Sequence, residues 1–500
     1  MKRILMIALL TIALTFSACK TDKGPTDDTK VESSENVDNK EDKDNKEDKD
    51  NKEEAEEVKK LEITEEIKPK MKETTEKVTN LLSERKIDDF KAILSEEFKK
   101  ATEGQDLDIF SQFEDQLGKF EKFENIDYKT QQGYYITDSV LRFEHGTIDQ
   151  IVALSEKMEV EGVNYSNLMV DIVADDFEES ITVDAGTGFP LKGMLALPKG
   201  EVKAAVVIVD GSGPNNMNLT IGKNNPMKHM SDQLVKKGIA VVRFNKRTYD
   251  YAKKFAMEGT QNQVLIKDEF IDDAAAALKL VKADNRLKDT DIYLMGHSQS
   301  ATYLPEINKE SGDIAKGYLV IAGTPKNLME ITKMQIDELI SQIEKTETKT
   351  DEEKKNRDLQ IQYTKQSIEA NEEILKKLDK MSDEELKKPE NAPYGMPGIY
   401  AKDLLKHDGF KLYEDNKLPV FVRIGEFDRQ VPSTEIKTWE DLIGDRENVD
   451  IKELKGVNHL MQASDGKTPI DKLYSSEYQE DKPIDSTLID DIAAFVEANK

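Results

Sequence analysis

The sequence predicts an α/β fold: a mostly parallel sheet carrying a helical insertion, preceded by a small α+β domain. Three observations lead there. From about Leu168 onward, short apolar runs alternate with amphipathic helical stretches, the rhythm of a sheet covered on both faces. The runs end in turn or polar residues, as in "AAVVIVDGSG", "GIAVVRFNKR", "DIYLMGHS", "KGYLVIAGTP" and "LPVFVRIGEFD". Between the last two lie about ninety residues, far more than a strand connection needs.

The chain opens differently. Lys2 and Arg3 precede the apolar run "ILMIALLTIALTF" and then "SAC", so residues 1–18 read as a signal peptide with a small-residue cleavage site. Cys19 is the only cysteine, which excludes an internal disulfide. "FSAC" resembles a bacterial lipobox with Phe16 as an unusual first member. The resemblance implies that Cys19 becomes a lipidated N-terminus, holding the protein outside the cytoplasm on the cell membrane. The other readings are a secretory peptide with an incidental cysteine and an uncleaved anchor helix. Residues 19–64 read as a solvated tether. From 20 to 60 there is no aromatic residue, and only Val31, Val37, Ala55 and Val58 are apolar, too little burial to offset the entropy of ordering. The whole chain carries a formal charge of −28, which argues against nucleic acid or anionic lipid as a partner.

Residues 65–166 read as the small α+β domain. "KVTNLLSERKIDDFKAILSEEFKKA" places Val78, Leu81, Leu82, Phe90, Ile93 and Leu94 at helical spacing. "GYYITDSVLRFEHGTIDQIVALSEKMEV" has the composition and turn punctuation of strands. In layout the segment resembles a family of uncharacterised α+β domains found before secreted hydrolases. His145 reads as a surface or satisfied histidine, since no metal-ligand spacing surrounds it.

In residues 168–500 the helices keep one apolar face. Phe270, Ala274, Ala277, Leu278 and Val281 share a side, as do Leu488, Ile492, Phe495 and Val496 at the end of the chain. Ligands of such sheets bind beyond the carboxyl ends of the strands, where the polar clusters lie. In "GHSQS", Ser298 follows a strand and precedes a helix, the context of a nucleophile on a sharp turn. Gly296 and Ser300 are the small flanking residues, with Ser300 departing from the usual glycine. A serine hydroxyl needs a base, an orienting acid and donors for the developing oxyanion. His459 in "GVNHL" follows the strand-like "VDIKEL", and Asp428 in "GEFDRQVP" leaves the strand before it. His407 precedes that strand and cannot be last in a Ser…Asp…His order. Glu426 is the reserve acid, and Asp445 follows a helix and is discounted. The glycines of "VDGSGPNN" allow close backbone approach, so the N–H groups of Ser212 and Gln299 are the oxyanion donors. The loop lacks the G-K-[ST] ending of a phosphate loop.

Together "DGSGPNN", "FNKRTY", "GHSQS", "GEFDRQVP" and "GVNH" resemble the α/β-hydrolase superfamily, and within it bacterial esterases of the dienelactone-hydrolase and prolyl-oligopeptidase branches. The resemblance implies a serine hydrolase of small-molecule carboxylic esters, with no metal or organic cofactor. Two alternatives stay open. One is a prolyl-oligopeptidase-type peptidase, which usually carries a propeller whose repeats are missing from this sequence. The other is a catalytically idle surface lipoprotein that binds a ligand. Residues 326–414 are the insertion, with Ile336, Leu339, Ile340 and Ile343 on one helical face and Ile374, Leu378 and Met381 on another. In this superfamily such an insertion is a lid; otherwise it is a hairpin docked elsewhere or a dimer contact. The charged "KTETKTDEEKKNRD" is expected to be its exposed tip or turn.

Overall fold

The computed structural model describes residues 61–260 and 263–499. The expected signal peptide, Cys19 and the expected tether up to residue 60 lie outside the described residues. Two compact units divide at Asp171/Ile172.

The first unit packs helix α1 (Ile67–Ser83) and helix α2 (Ile109–Leu117) on one face of an antiparallel sheet, β1 (Phe120–Gln131), β2 (Tyr134–Phe143), β3 (Gly146–Leu154) and β4 (Val160–Val170). Val78 and Leu82 on α1 join Phe110, Leu141, Phe143 and Val152 in its core. The expected limits of 65 and 166 are both too narrow. Leu61 and Ile63 already pack on that core, and β4 runs past 166 because its pairing with β3 continues to Val170. His145 is exposed in the turn between β2 and β3.

The second unit is built on eight strands: β5 (Glu178–Val183), β6 (Leu191–Ala196), β7 (Ala204–Val209), β8 (Ile239–Phe244), β9 (Ile292–His297), β10 (Gly317–Ile321), β11 (Val420–Gly425) and β12 (Val449–Leu454). Their spatial order is β12-β11-β10-β9-β7-β8-β6-β5. Only β5–β6 and β6–β8 pair antiparallel; the rest are parallel. Every residue of β7 to β11 is buried, Arg243 and Arg423 included, which is why these strands read as largely apolar runs rather than alternating ones. One face of the sheet is covered by α3 (Pro226–Lys236) and the C-terminal helix α4 (Ser486–Ala498), the other by the helix Asp273–Ala283. Fully burying each Val, Leu or Ile in these layers contributes roughly 1.5–3 kcal/mol.

Parallel register aligns the strand ends. Val209 pairs with Gly296, while Ile321 pairs with both His297 and Arg423. The loops after β7, β9, β10 and β11 therefore leave the sheet side by side. The segment between β10 and β11 is helical, as the sequence predicts, but its charged stretch is not a simple turn. Helices Leu328–Lys345 and Asp351–Leu375 form a hairpin, and "DEEKKNRD" is the first part of the second helix. Thr350 explains this: its hydroxyl and Glu353 form a reciprocal cap that starts the helix at Asp351. Among the described residues, no helix is long and apolar enough to cross a membrane.

Candidate active site

Ser298 sits where β9 ends and a short 3-10 turn (Ser298–Tyr303) begins, with φ 57. That left-handed conformation is costly for a residue with a Cβ, and it persists only where the surroundings fix it. They do. A Cβ on Gly296 would stand 2.8 Å from the backbone of Ala301, and one on Gly323 would stand 2.3 Å from the Ala301 Cβ. The turn is thus pressed between its own strand and the next one. Ser300 is accommodated because its buried hydroxyl donates to Val209 O at 2.7 Å and lies 3.0 Å from His297 O. The departure from glycine ties the serine turn to the end of β7.

Asp428 and His459 meet. His459 Nδ1–H donates to Asp428 Oδ2 at 2.8 Å, with side-chain exposures of 3% and 0%. Asp428 Oδ1 accepts from the N–H groups of Gln430 and Val431, both at 2.8 Å. The carboxylate is therefore fully occupied, and the Nδ1–H tautomer leaves Nε2 free to take a proton. Glu426, the reserve acid, is turned away, accepting from Gly456 N at 2.9 Å, and Asp445 is exposed. His407 lies elsewhere, on Glu306 at 2.8 Å. Burial lowers the His407 pKa, but hydrogen bonds to Asp403 and Glu306 outweigh it and raise the value to about 9.

The Ser298 turn touches this pair through its neighbour. The rings of His297 and His459 are 4.8 Å apart between centroids, and His297 Nε2–H donates to His459 O at 3.0 Å. Among the described residues, Ser298 Oγ has no hydrogen bond to His459. Such bonds often tighten only once substrate is bound.

The loop after β7 closes the site. A Cβ on Gly211 would lie 2.8 Å from Ser298 Cβ and 3.4 Å from its Oγ, so only glycine lets this backbone reach the serine. Ser212 follows on the exposed side. Gln299 is the second residue of the 3-10 turn, where N–H groups have no intrahelical acceptor. Its side-chain amide reaches Tyr303 Oη at 3.2 Å and, from the insertion, Tyr400 Oη at 3.1 Å. Tyr413 Oη donates to Ala301 O at 2.6 Å, and Gln335 donates to Gln430 O at 3.0 Å, beside Asp428. The insertion thus packs on the loops that bear Ser298 and Asp428. Ile336 and Leu339 meet the cores on either side, Ile340 and Leu378 are buried, and Ile343, Ile374 and Met381 are half-buried.

Among the described residues, no cluster of His, Cys, Asp or Glu could hold a metal ion. Sequence reasoning missed Asp210, His297 and Lys246, all buried around the serine turn. The first two stand next to predicted residues, and Lys246 lies within the quoted "FNKRTY", where nothing in spacing gives a direction to its side chain.

Over 399 residues the chain is 30% identical to the esterase EstD of Thermotoga maritima, an alignment covering 78% of this chain and 86% of that one. The chain belongs to this esterase family. Residues 75–163 also match a domain family described as a protein of unknown function, DUF3887. Among solved structures, Est1E of Butyrivibrio proteoclasticus is 15% identical, with 64% of this chain and 99% of that chain covered and a TM-score of 0.38. The dienelactone hydrolase of Anabaena variabilis is 12% identical, with 60% and 95% covered and a TM-score of 0.32. Family membership rests on the EstD alignment.

Proposed function

We propose that this esterase-family hydrolase cleaves carboxylic esters through an acyl-enzyme on Ser298. His459 removes the hydroxyl proton as Ser298 attacks the acyl carbon, then donates it to the leaving alcohol. Asp428 orients the ring and stabilises its charged form. The N–H groups of Ser212 and Gln299 receive the oxyanion, and water then releases the acid with His459 as base. The observation that carries this reading is the buried Asp428–His459 hydrogen bond beside a serine at φ 57. The insertion is the lid, and its apolar sides line the acyl side of the site. The test is a panel of esters and matched amides with wild-type protein, His459→Ala and His407→Ala. Ester turnover lost in the His459 variant and kept in the His407 variant is expected. Loss with His407→Ala and retention with His459→Ala would reverse the assignment, and preferential amide cleavage would make the protein a peptidase.

A second proposal concerns location. Cys19 carries lipid and tethers the enzyme outside the cytoplasm on the cell membrane, through the residues that precede Leu61. The lipobox-like "FSAC" supports it. A single acyl chain binds only marginally, so modification with two or more is required. Cys19→Ser is expected to release the protein or leave its precursor uncleaved; an unmodified Cys19 in membrane-extracted protein would contradict this.

A further inference from the structure

Among the buried cations that the mechanism above leaves unused, Lys246 is the one that reaches the loop against Ser298. Lys246 follows β8, with its side chain 4% exposed. Its backbone N–H donates to Asn215 O at 3.0 Å, and the neighbouring Asn245 Oδ1 accepts from Met217 N at 2.7 Å. These contacts clamp the far half of the loop that follows β7. The ammonium itself donates to Gly211 O at 2.6 Å, lies 3.2 Å from Glu269 Oε1, and stands 4.2 Å from the centre of the Phe270 ring. Glu269 is fixed in turn by Thr248 Oγ1, which donates to Oε1 at 2.5 Å. Burying an ammonium is costly, and a carboxylate partner is the usual compensation. A buried ion pair does not by itself need the contact to one backbone carbonyl.

That carbonyl is informative. Gly211 C=O and Ser212 N–H belong to one peptide unit, planar and conjugated. Fixing the oxygen fixes the direction of the N–H on the opposite side. Charge drawn onto the oxygen also strengthens the N–H as a donor, because linked hydrogen bonds polarise one another. The same peptide lies against Ser298, as the 2.8 Å approach of a Cβ on Gly211 to Ser298 Cβ requires.

We propose that Lys246 is a positioning residue that aims and polarises the Gly211–Ser212 peptide, so that the Ser212 N–H meets the oxyanion formed on Ser298. The inference rests on the Ser298 hydrolase reading. Lys246 touches no reacting atom and transfers no proton. Its effect appears only where negative charge develops on the acyl oxygen.

The test compares the full-length wild type with Lys246→Met, Lys246→Arg and Glu269→Gln. Each is assayed on a short-chain aryl ester, on the matching thionoester, and for affinity to a trifluoromethyl ketone that mimics the tetrahedral adduct. Deleting an oxyanion donor costs on the order of 10² to 10³ in rate, so weakening one in Lys246→Met is expected to cost about tenfold in kcat with KM unchanged. The ester-to-thionoester rate ratio should contract and ketone affinity fall in parallel, because sulfur responds less to the hole. Lys246→Arg, which keeps a charged donor, should recover most of the loss, and Glu269→Gln should keep the wild-type ratio. Since Lys246→Met strands Glu269, the double variant Lys246→Met/Glu269→Gln removes both charges and should show the same contracted ratio. An unchanged ratio and ketone affinity in an active Lys246→Met enzyme, or in the double variant, would reduce Lys246 to packing and overturn the inference alone. A wild type without ester turnover would overturn the hydrolase reading and this one with it.

Discussion

The strand ends and the outer helix of the insertion are held in place by different means. At the ends of β7, β9 and β10, single Cβ atoms would collide with backbone at Gly296 and with Ser298 or Ala301 side chains at Gly211 and Gly323, and both carboxylate oxygens of Asp428 are hydrogen-bonded. The helix Asp351–Leu375 has no buried residue, and its ties to the preceding helix include Lys333–Glu372 at 2.5 Å and Lys365–Glu344 at 3.3 Å, all exposed groups. Exposed pairs of this kind each contribute about 0–1 kcal/mol. The residues proposed for the chemistry sit where geometry is over-determined, and the arm sits where substitution is expected to cost little. Between the two lies the inner part of the insertion, joined to the serine turn by Tyr400 and Tyr413.

Four substitutions grade that contrast. Asp428→Asn is expected to fold with unchanged Tm within a few degrees and lose on the order of 10⁴ in kcat, because the amide favours the wrong imidazole tautomer. Near-wild-type kcat would move the acid role to Glu426. Gly211→Ala should lose about 10² to 10³, since its methyl forces the loop off Ser298 and carries the oxyanion donor with it. An active Gly211→Ala enzyme would show that the loop is less fixed than its contacts imply.

The third acts through pH at the joint between the insertion and the helix Leu304–Ser311. His407 is held at about 9, above its ordinary 6.5, by Asp403 and Glu306 against the effect of burial. A raised value means that its stabilisation is complete below about 6.5 and is lost as pH rises through 9. The Tm difference between wild type and His407→Gln should therefore be largest near pH 6 and close by pH 10. A gap that widens with pH would contradict the assignment. Smallest is Tyr363→Ser on the outer helix, where the ring is 55% exposed. Stability should change by less than about 0.5 kcal/mol, with turnover unaltered. A large loss there would mean that the arm is covered by a partner.

The strands of the sheet were legible because β7 to β11 are buried on both faces and read as largely apolar runs, broken only by Arg243 and Arg423 before their ends. The positions of Ser298, Asp428 and His459 were legible because each follows a strand in chain order. What the sequence hides is side-chain direction. Lys246 lies in a quoted motif, yet only the folded loop brings its ammonium to Gly211 O. The strand Phe120–Gln131 was also hidden: eight of its twelve residues are polar and exposed, so its pattern is weak. The boundary of the small domain was misplaced because Leu168 and Val170, which read as the start of the next unit, pack on the core of the first.

The most direct test of the account is to react the mature protein with a fluorophosphonate and locate the adduct by peptide mass spectrometry. One stoichiometric adduct on Ser298 is expected, lost in Ser298→Ala together with nearly all ester turnover. An adduct on another residue, or full turnover in Ser298→Ala, would contradict it.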